Sequence, residues 1–221
     1  MTPTDRTDAA RGPVGLVLAA GGGRRFGGPK ALARSADGTP WLHLAVRALR
    51  AGGCTRVLVA LGAGADRART LLPAGVREVT VPDWSEGLAS SLRTALTSPH
   101  LAEAAAHTGA SGAVVIPVDT PGLPAEAVRR LIAAGEVADH AAALARATYD
   151  GRPGHPVLLG RNHWAAIAAE LTGDAGAGAY LRRHAAREIP CGDLWDGADA
   201  DTPGPTGGSG NPDPHRSHRR V

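Results

Sequence analysis

The sequence predicts an α/β fold in which a mostly parallel sheet is covered by helices on both sides, forming a three-layer sandwich. Short apolar runs rich in β-branched residues alternate along the chain with longer Ala-, Leu- and Arg-rich segments of helical period. The runs are continuously apolar, as is typical of strands buried on both faces. A chain of 221 residues with 43% hydrophobic residues is large enough for one such domain.

The predicted elements alternate regularly from the first strand, Val14–Ala19, onwards. In the first predicted helix, 40–51, Leu42, Ala45, Val46 and Leu49 form an apolar face at the spacing i, i+3, i+4, i+7. The other predicted strands are 56–61, 76–81, 113–118, 141–147 and 155–159. The other predicted helices are 65–72, 87–97, 124–134, 161–171 and 176–184. Ligands bind such sheets at the carboxyl ends of the strands, so the loops that follow strands are expected to carry the chemistry.

Composition suggests the domain limits and excludes several classes of protein. We expect a flexible leader over residues 1–12, a single domain over 13–203 and a disordered tail over 204–221, where Gly, Pro, Ser and His leave little to bury. The net charge is +3, of which residues 202–221 contribute +2, so the body carries only +1 and nucleic acid is not an expected partner. We expect a soluble cytoplasmic protein without membrane contact. The apolar runs are too short to cross a bilayer, the first residues contain no apolar signal-peptide segment, and the two cysteines lie far apart in the sequence.

The loop after the first strand is the strongest local signal. Five glycines between Gly21 and Gly28 let the backbone approach a phosphate chain and direct its N–H groups at the oxygens. The loop matches neither a Walker loop nor a dinucleotide fingerprint, which Phe26 interrupts. Lys30, which closes the loop, is the only lysine beside 23 arginines, and this favours a site that needs a compact ammonium. The alternative is a surface turn with incidental charges.

A second candidate is Asp119, directly after the apolar strand predicted at 113–118. A carboxylate at the end of a central strand could bind Mg²⁺, which prefers oxygen ligands and shares them with substrate phosphates. The alternative role is an N-cap for the helix predicted at 124–134. The five-residue offset from that helix weakens the capping interpretation.

Several segments together resemble the MobA/MocA-like nucleotidyltransferases. The segment LAAGGGRRFGGPKAL is similar to that family's signature, although Gly23 stands where the family often has Ser. The end of the domain also departs, since Gly-Pro-Thr-Gly-Gly follows where the family has acidic and Leu residues. Further similar segments, in the family's order, are VPDWSEGLASS at 81–91, VDTP at 118–121, GRPGHPV at 151–157, GDAG at 173–176 and DADTP at 199–203.

The resemblance implies a Rossmann-like fold of the nucleotide-diphospho-sugar transferase type and assigns roles to individual residues. Arg25, Lys30 and Asp119 would be catalytic, and Asp119 and Asp201 would hold Mg²⁺, with Asp199 as the alternative second ligand. The implied nucleotide-binding residues are Ala19, Ala20, Gly21, Gly22, Gly23, Arg25, Lys30 and Ser91.

For the remaining residues, a purely structural role is the alternative to the role that the resemblance implies. His155 and Asp174 would contact the acceptor, or else be a structural histidine and a turn residue. Ser91 could instead be solvated, and the tryptophans at 84, 164 and 195 are expected to pack rather than to stack on a ligand.

The resemblance further implies Mg²⁺-dependent transfer of CMP from CTP to the phosphate of a molybdopterin-type cofactor, with release of pyrophosphate. CTP is favoured because LAAG accompanies cytidine-using members of the family. A molybdenum hydroxylase is a possible partner. The alternatives are transfer to another phosphorylated small molecule, or a non-catalytic protein that binds nucleotide or cofactor during enzyme maturation.

Overall fold

A computed structural model describes residues 12–135 and 141–200. The predicted leader, the predicted tail and Asp201 therefore lie outside the described residues, apart from Gly12. The strands are β1 (Val14–Ala19), β2 (Arg56–Leu61), β3 (Arg77–Thr80), β4 (Gly112–Pro117), β5 (Leu144–Tyr149), β6 (Arg152–Gly160) and β7 (Arg187–Pro190). The helices are α1 (Trp41–Ala51), α2 (Ala65–Arg69), α3 (Leu88–Thr97), α4 (Pro99–Thr108), α5 (Ala125–Gly135), α6 (Trp164–Glu170) and α7 (Gly178–Arg183).

The seven strands form one sheet in the order β3-β2-β1-β4-β6-β5-β7. Every neighbouring pair is parallel except the two that involve β6, which runs antiparallel to β4 and to β5. This confirms the predicted mostly parallel sheet. The carboxyl ends of β1 and β4 lie side by side at its centre, and this brings the glycine loop and Asp119 to the same edge.

Two apolar layers bury the faces of the sheet. One face packs against α1, α2 and α5, and its core includes Leu42, Leu49 and Leu131. The other packs against α3, α4, α6 and α7, with Leu92 and Ile167 among its buried residues. Ala, Val and Leu fill both layers because the chain has only 3% aromatic residues. In the described ranges no helix combines the length and the apolar character needed to cross a membrane.

A tight hairpin reverses the chain between β5 and β6. Tyr149 pairs with Arg152, and the two residues between them, Asp150 and Gly151, have φ of 50° and 74°. Positive φ at both central positions is the type I′ geometry that matches the twist of antiparallel strands. This turn corrects the predicted strand 141–147, which in fact runs from Leu144 to Tyr149.

Two elements were absent from the sequence prediction. Helix α4 begins directly after α3, where the Ser98 side chain accepts a hydrogen bond from the His100 N–H at 3.1 Å. Strand β7 is a four-residue edge strand in which only Ile189 is buried, so it lacks the apolar run used to predict strands. The helix predicted at 65–72 was too long: Leu71 and Leu72 continue it through bonds to the third preceding carbonyl, which is a 3-10 turn.

Candidate functional site

The glycine loop leaves β1 at the sheet edge and exposes a series of backbone donors. Gly23 O accepts hydrogen bonds from Gly27 N at 3.0 Å and Gly28 N at 3.1 Å, which folds the loop back on itself. The N–H groups of residues 21–26 donate no hydrogen bond within the described part of the chain. Such a run of free donors is the arrangement that a phosphate chain can fill. Ala20 O accepts from Ala63 N at 2.9 Å and ties the start of the loop to the end of β2.

Gly23 is fixed as glycine by the geometry of the loop. Its φ is +59°, and a Cβ built on it would lie 1.9 Å from the carbonyl oxygen of Gly28. No side chain fits there unless the loop opens. The departure from the Ser common in similar sequences therefore has a steric cause in this chain.

Trp84 supports the loop from behind, as the packing interpretation predicted. A Cβ on Gly22 would lie 3.0 Å from the Trp84 ring, and a Cβ on Gly62 would lie 2.4 Å from Trp84 Cβ. Trp84 therefore leaves no room for a side chain at Gly62 and little room for one at Gly22. Trp164 and Trp195 also pack: Trp164 is buried, with its Nε1 donating to Leu159 O at 2.9 Å, and Trp195 meets Tyr149 edge to face.

Lys30 and Asp119 meet at the centre of this edge. Lys30 Nζ donates to Asp119 Oδ2 at 2.8 Å, and the two side chains are only 16% and 22% exposed. Asp119 stands two residues beyond the end of β4, as its sequence position predicted. This contact joins the two strongest sequence signals, which are 89 residues apart. It also argues against a capping role, because the Asp119 carboxylate faces the lysine and α5 begins six residues later.

The donor set at Asp119 fits a divalent cation bound together with substrate phosphates. Lys30 takes Oδ2, and Oδ1 makes no hydrogen bond among residues 12–135 and 141–200. Mg²⁺ needs only one or two carboxylates when phosphate oxygens complete its octahedron. Ala200 N donates to Asp119 O at 2.8 Å, so the last described residue of the chain lies against Asp119. Among the described residues, no three His, Cys, Asp or Glu side chains are grouped to hold a metal by themselves.

Arg25 lies at the exposed tip of the loop. Within the described ranges its guanidinium makes no hydrogen bond or ion pair. A free guanidinium beside a row of free N–H groups is available to a triphosphate, but the structure does not join it to Lys30. Its catalytic role therefore remains a prediction.

His155 and Asp199 line a cleft of about 290 Å³ beside the loop. Burial lowers the pKa of His155 below its usual range, although a backbone hydrogen bond with Val115 and the charge of Asp119 oppose this shift. The imidazole is therefore neutral at neutral pH. Its Nδ1 is buried and has no hydrogen-bond partner among the described residues.

Asp174 and Ser91 lie at the helix that borders this cleft. Asp174 is exposed and stands at the start of α3, where a Cβ on Gly87 would lie 2.4 Å from its Oδ1. A carboxylate at a helix amino end is stabilised by the helix dipole, which supports the structural alternative for Asp174. Ser91 is 4% exposed within α3, so the alternative of a solvated serine was wrong.

Arg146 is a cleft residue that the sequence analysis missed. It lies on β5, is 8% exposed and lines the same cleft as His155 and Asp199. A single arginine inside the run LARATY is a signal in hindsight, because a charged residue in a strand buried at every position needs a reason.

Comparison with known proteins places these features in a family. Residues 15–188 match the model of the MobA-like NTP transferase domain. A curated relative, nicotine blue oxidoreductase of Paenarthrobacter nicotinovorans, is 36% identical over 86% of this chain and 92% of its own length.

Solved structures agree with this match. Rv0371c of Mycobacterium tuberculosis is 30% identical, covers 87% of this chain and 94% of its own, and has a TM-score of 0.69. The same protein in complex with manganese is similar at 28% identity and a TM-score of 0.65, over 81% of this chain and 88% of its own. A 4-diphosphocytidyl-2C-methyl-D-erythritol synthase, 16% identical over 85% of this chain and 92% of its own with a TM-score of 0.57, shares the fold. The chain belongs to the MobA-like NTP transferase family.

Proposed function

We propose that this protein is a nucleotidyltransferase that transfers CMP from CTP to the phosphate of a molybdopterin-type cofactor and releases pyrophosphate. The observation that carries the proposal is the contact of Lys30 with Asp119 at 2.8 Å beside a glycine loop with free N–H groups. The family match supports nucleotidyl transfer in general. The choice of CTP and of the acceptor rests on the resemblance of LAAG and the later segments to cytidine-using members.

The chemistry needs charge neutralisation rather than a covalent intermediate on the protein. An oxygen of the acceptor phosphate attacks the α-phosphorus of CTP, and the bond from that phosphorus to the β-phosphate oxygen breaks as pyrophosphate leaves. The loop N–H groups and Arg25 hold the triphosphate, and Lys30 neutralises charge on the leaving pyrophosphate. The lysine donates to Asp119 before substrate arrives, so it is already positioned at the reaction centre.

Asp119 is the proposed metal ligand, with Asp201 or Asp199 as the second. Bound Mg²⁺ would neutralise phosphate charge and align the two phosphates. The manganese complex of Rv0371c is consistent with a divalent metal in a related protein. Ser91 and Asp174 remain minor proposed contacts on the nucleotide and acceptor sides. A molybdenum hydroxylase is the proposed recipient of the product.

The direct test measures pyrophosphate release with CTP, GTP, ATP and UTP, each with and without molybdopterin cofactor. We expect release that requires the cofactor and Mg²⁺ and is fastest with CTP. Release with a sugar phosphate instead would favour the alternative acceptor. Nucleotide binding without any release would favour the non-catalytic maturation role. A parallel assay for oxidation or reduction of nicotine blue covers the activity that the name of the curated relative states.

A further inference from the structure

Arg146 interrupts a row of apolar side chains that crosses four strands. Strand register aligns Leu16 of β1, Val115 of β4, Val157 of β6 and Arg146 of β5. Aligned residues point to the same face of a sheet, here the face that packs on α3 and α6. The three apolar members of the row are at most 8% exposed, as is the arginine. Burying a guanidinium in such a place is unfavourable unless it is paired with an opposite charge and its N–H groups are hydrogen-bonded.

The charge of Arg146 is already balanced. The next residue of the row, Glu188 on β7, accepts a hydrogen bond from Arg146 Nη2 at 2.5 Å. The glutamate side chain is 51% exposed, so the pair runs from the cleft to the outer edge of the sheet. Arg146 Nε is buried and has no partner among the described residues. The cleft therefore contains the unsatisfied Nε–H donor of a guanidinium whose charge is already balanced by Glu188.

His155 supplies the complementary group in the same cleft. Its buried Nδ1 has no hydrogen-bond partner among the described residues, and a neutral imidazole can present a lone pair at that nitrogen. The two nitrogens are the only buried side-chain polar atoms without a partner in the described ranges. Both belong to residues that line one cleft of about 290 Å³, whose other walls are largely apolar.

We propose that Arg146 and His155 select the body of the acceptor substrate, a small planar heterocycle that carries both a carbonyl oxygen and a ring N–H. The carbonyl accepts from Arg146 Nε, and the ring N–H donates to His155 Nδ1. Leu18, Leu92 and Leu181 enclose the ring, and the cleft volume suits a ligand at the small end of the usual range. The inference rests on the proposed function in that it treats this cleft as the acceptor side.

The test compares two fluorescent ligands that differ in the two groups to be recognised. Pterin carries the ring carbonyl and the adjacent N–H, whereas in diaminopteridine an amino group replaces the carbonyl and the adjacent ring nitrogen carries no proton. Binding is measured by fluorescence titration of the full chain at neutral pH, where both rings are uncharged. We expect pterin to bind about tenfold more tightly or better, since diaminopteridine satisfies neither Arg146 Nε nor His155 Nδ1.

The variant Arg146→Lys keeps a cation for Glu188 and removes the Nε donor, so it should fold and reduce the preference for pterin to the part that His155 supplies. Arg130→Lys is the matched control, since Arg130 also pairs with an exposed carboxylate, Asp193, but lies outside the cleft. Its preference should equal that of the wild type. His155→Phe should weaken pterin binding about tenfold by removing the acceptor.

The proposal is overturned if the wild type binds both ligands equally or binds neither, or if Arg146→Lys retains the full preference. None of these measurements requires turnover. Pyrophosphate release without a preference for pterin would support the proposed function and contradict this inference. A preference for pterin without pyrophosphate release would support this inference and contradict the proposed function.

Discussion

Two cavities at opposite ends of the sheet differ in size and in the polar groups that line them. The larger, about 770 Å³, lies at the amino ends of β2 and β3 and is lined by charged side chains, including Arg77, His100 and Glu103. Arg77 donates to Glu103 at 2.7 Å and contacts His100 Nδ1 at 3.2 Å, and all three side chains are over 40% exposed.

The smaller cleft, near the carboxyl ends, holds the two buried polar atoms without partners, and the Lys30–Asp119 pair lies at the same end of the sheet. The larger cavity has polar groups that contact each other or face solvent, whereas the smaller one is lined by two residues with buried nitrogens that have no partner among the described residues. Unsatisfied buried groups are costly, so their presence is the better indication of binding. The predictions below test this contrast, from the largest expected effect to the smallest.

Asp119→Asn should reduce turnover by about a hundred- to a thousandfold while the fold survives. Asparagine keeps the shape and can still accept a hydrogen bond from Lys30, but it loses the charge that makes a carboxylate a good Mg²⁺ ligand. Asp201→Asn should have a milder effect, and raised Mg²⁺ or Mn²⁺ should partly rescue both variants. Pyrophosphate release measures the effect, and circular dichroism checks the fold. Asp193→Asn, in an exposed ion pair, is the control. A folded Asp119→Asn protein with normal turnover would refute the metal assignment.

Lys30→Ala and Arg25→Ala should each weaken nucleotide binding by about ten- to a hundredfold, because each removes one charge-assisted contact to the triphosphate. The measurement is the KM for CTP together with kcat. Arg34→Ala is the control, since Arg34 is an exposed arginine nearby that bonds only to Gly38 O in the described structure. Unchanged kinetics in both loop variants would show that the charges of the loop are incidental.

The contrast between the cavities also explains which parts of the site the sequence could predict. The glycine loop and Asp119 follow strands directly, so local sequence and the parallel order of β1 and β4 are enough to bring them together. Arg146 is different because its role depends on its alignment with Val157 and Glu188.

That alignment follows from a hairpin the sequence analysis overlooked and an edge strand too polar to recognise. The Asp150-Gly151 pair was the available signal, since Asp-Gly between apolar runs favours a type I′ turn. Long-range register cannot be read from composition or period, and this is why the cleft became visible only in the structure.

Gly23→Ser should lower the free energy of unfolding by about 1–3 kcal/mol and weaken CTP binding, because the new side chain meets Gly28 O in a loop held at positive φ. Chemical denaturation and the KM for CTP measure the two effects. Gly38→Ser separates the causes, since Gly38 also has positive φ (+83°) but no atom lies within 4 Å of its would-be Cβ. The Gly38→Ser variant should lose stability only because serine is unfavourable at positive φ, and it should bind CTP normally. Equal effects from both substitutions would mean that the contact with Gly28 is relieved by a small shift.

Arg77→Ala should have the smallest effect, although it alters the larger cavity. Its ion pair with Glu103 joins two side chains that are 58% and 63% exposed, and such pairs contribute about 0–1 kcal/mol. Turnover and the KM values for both substrates should equal those of the wild type, because Arg77 lies at the amino ends of the strands, away from the glycine loop. Arg146→Lys, which alters the smaller cleft, should by contrast change acceptor binding while leaving the KM for CTP unchanged. If Arg77→Ala changed activity more than Arg146→Lys, burial of unpaired donors would be a poorer guide to this protein's function than cavity volume.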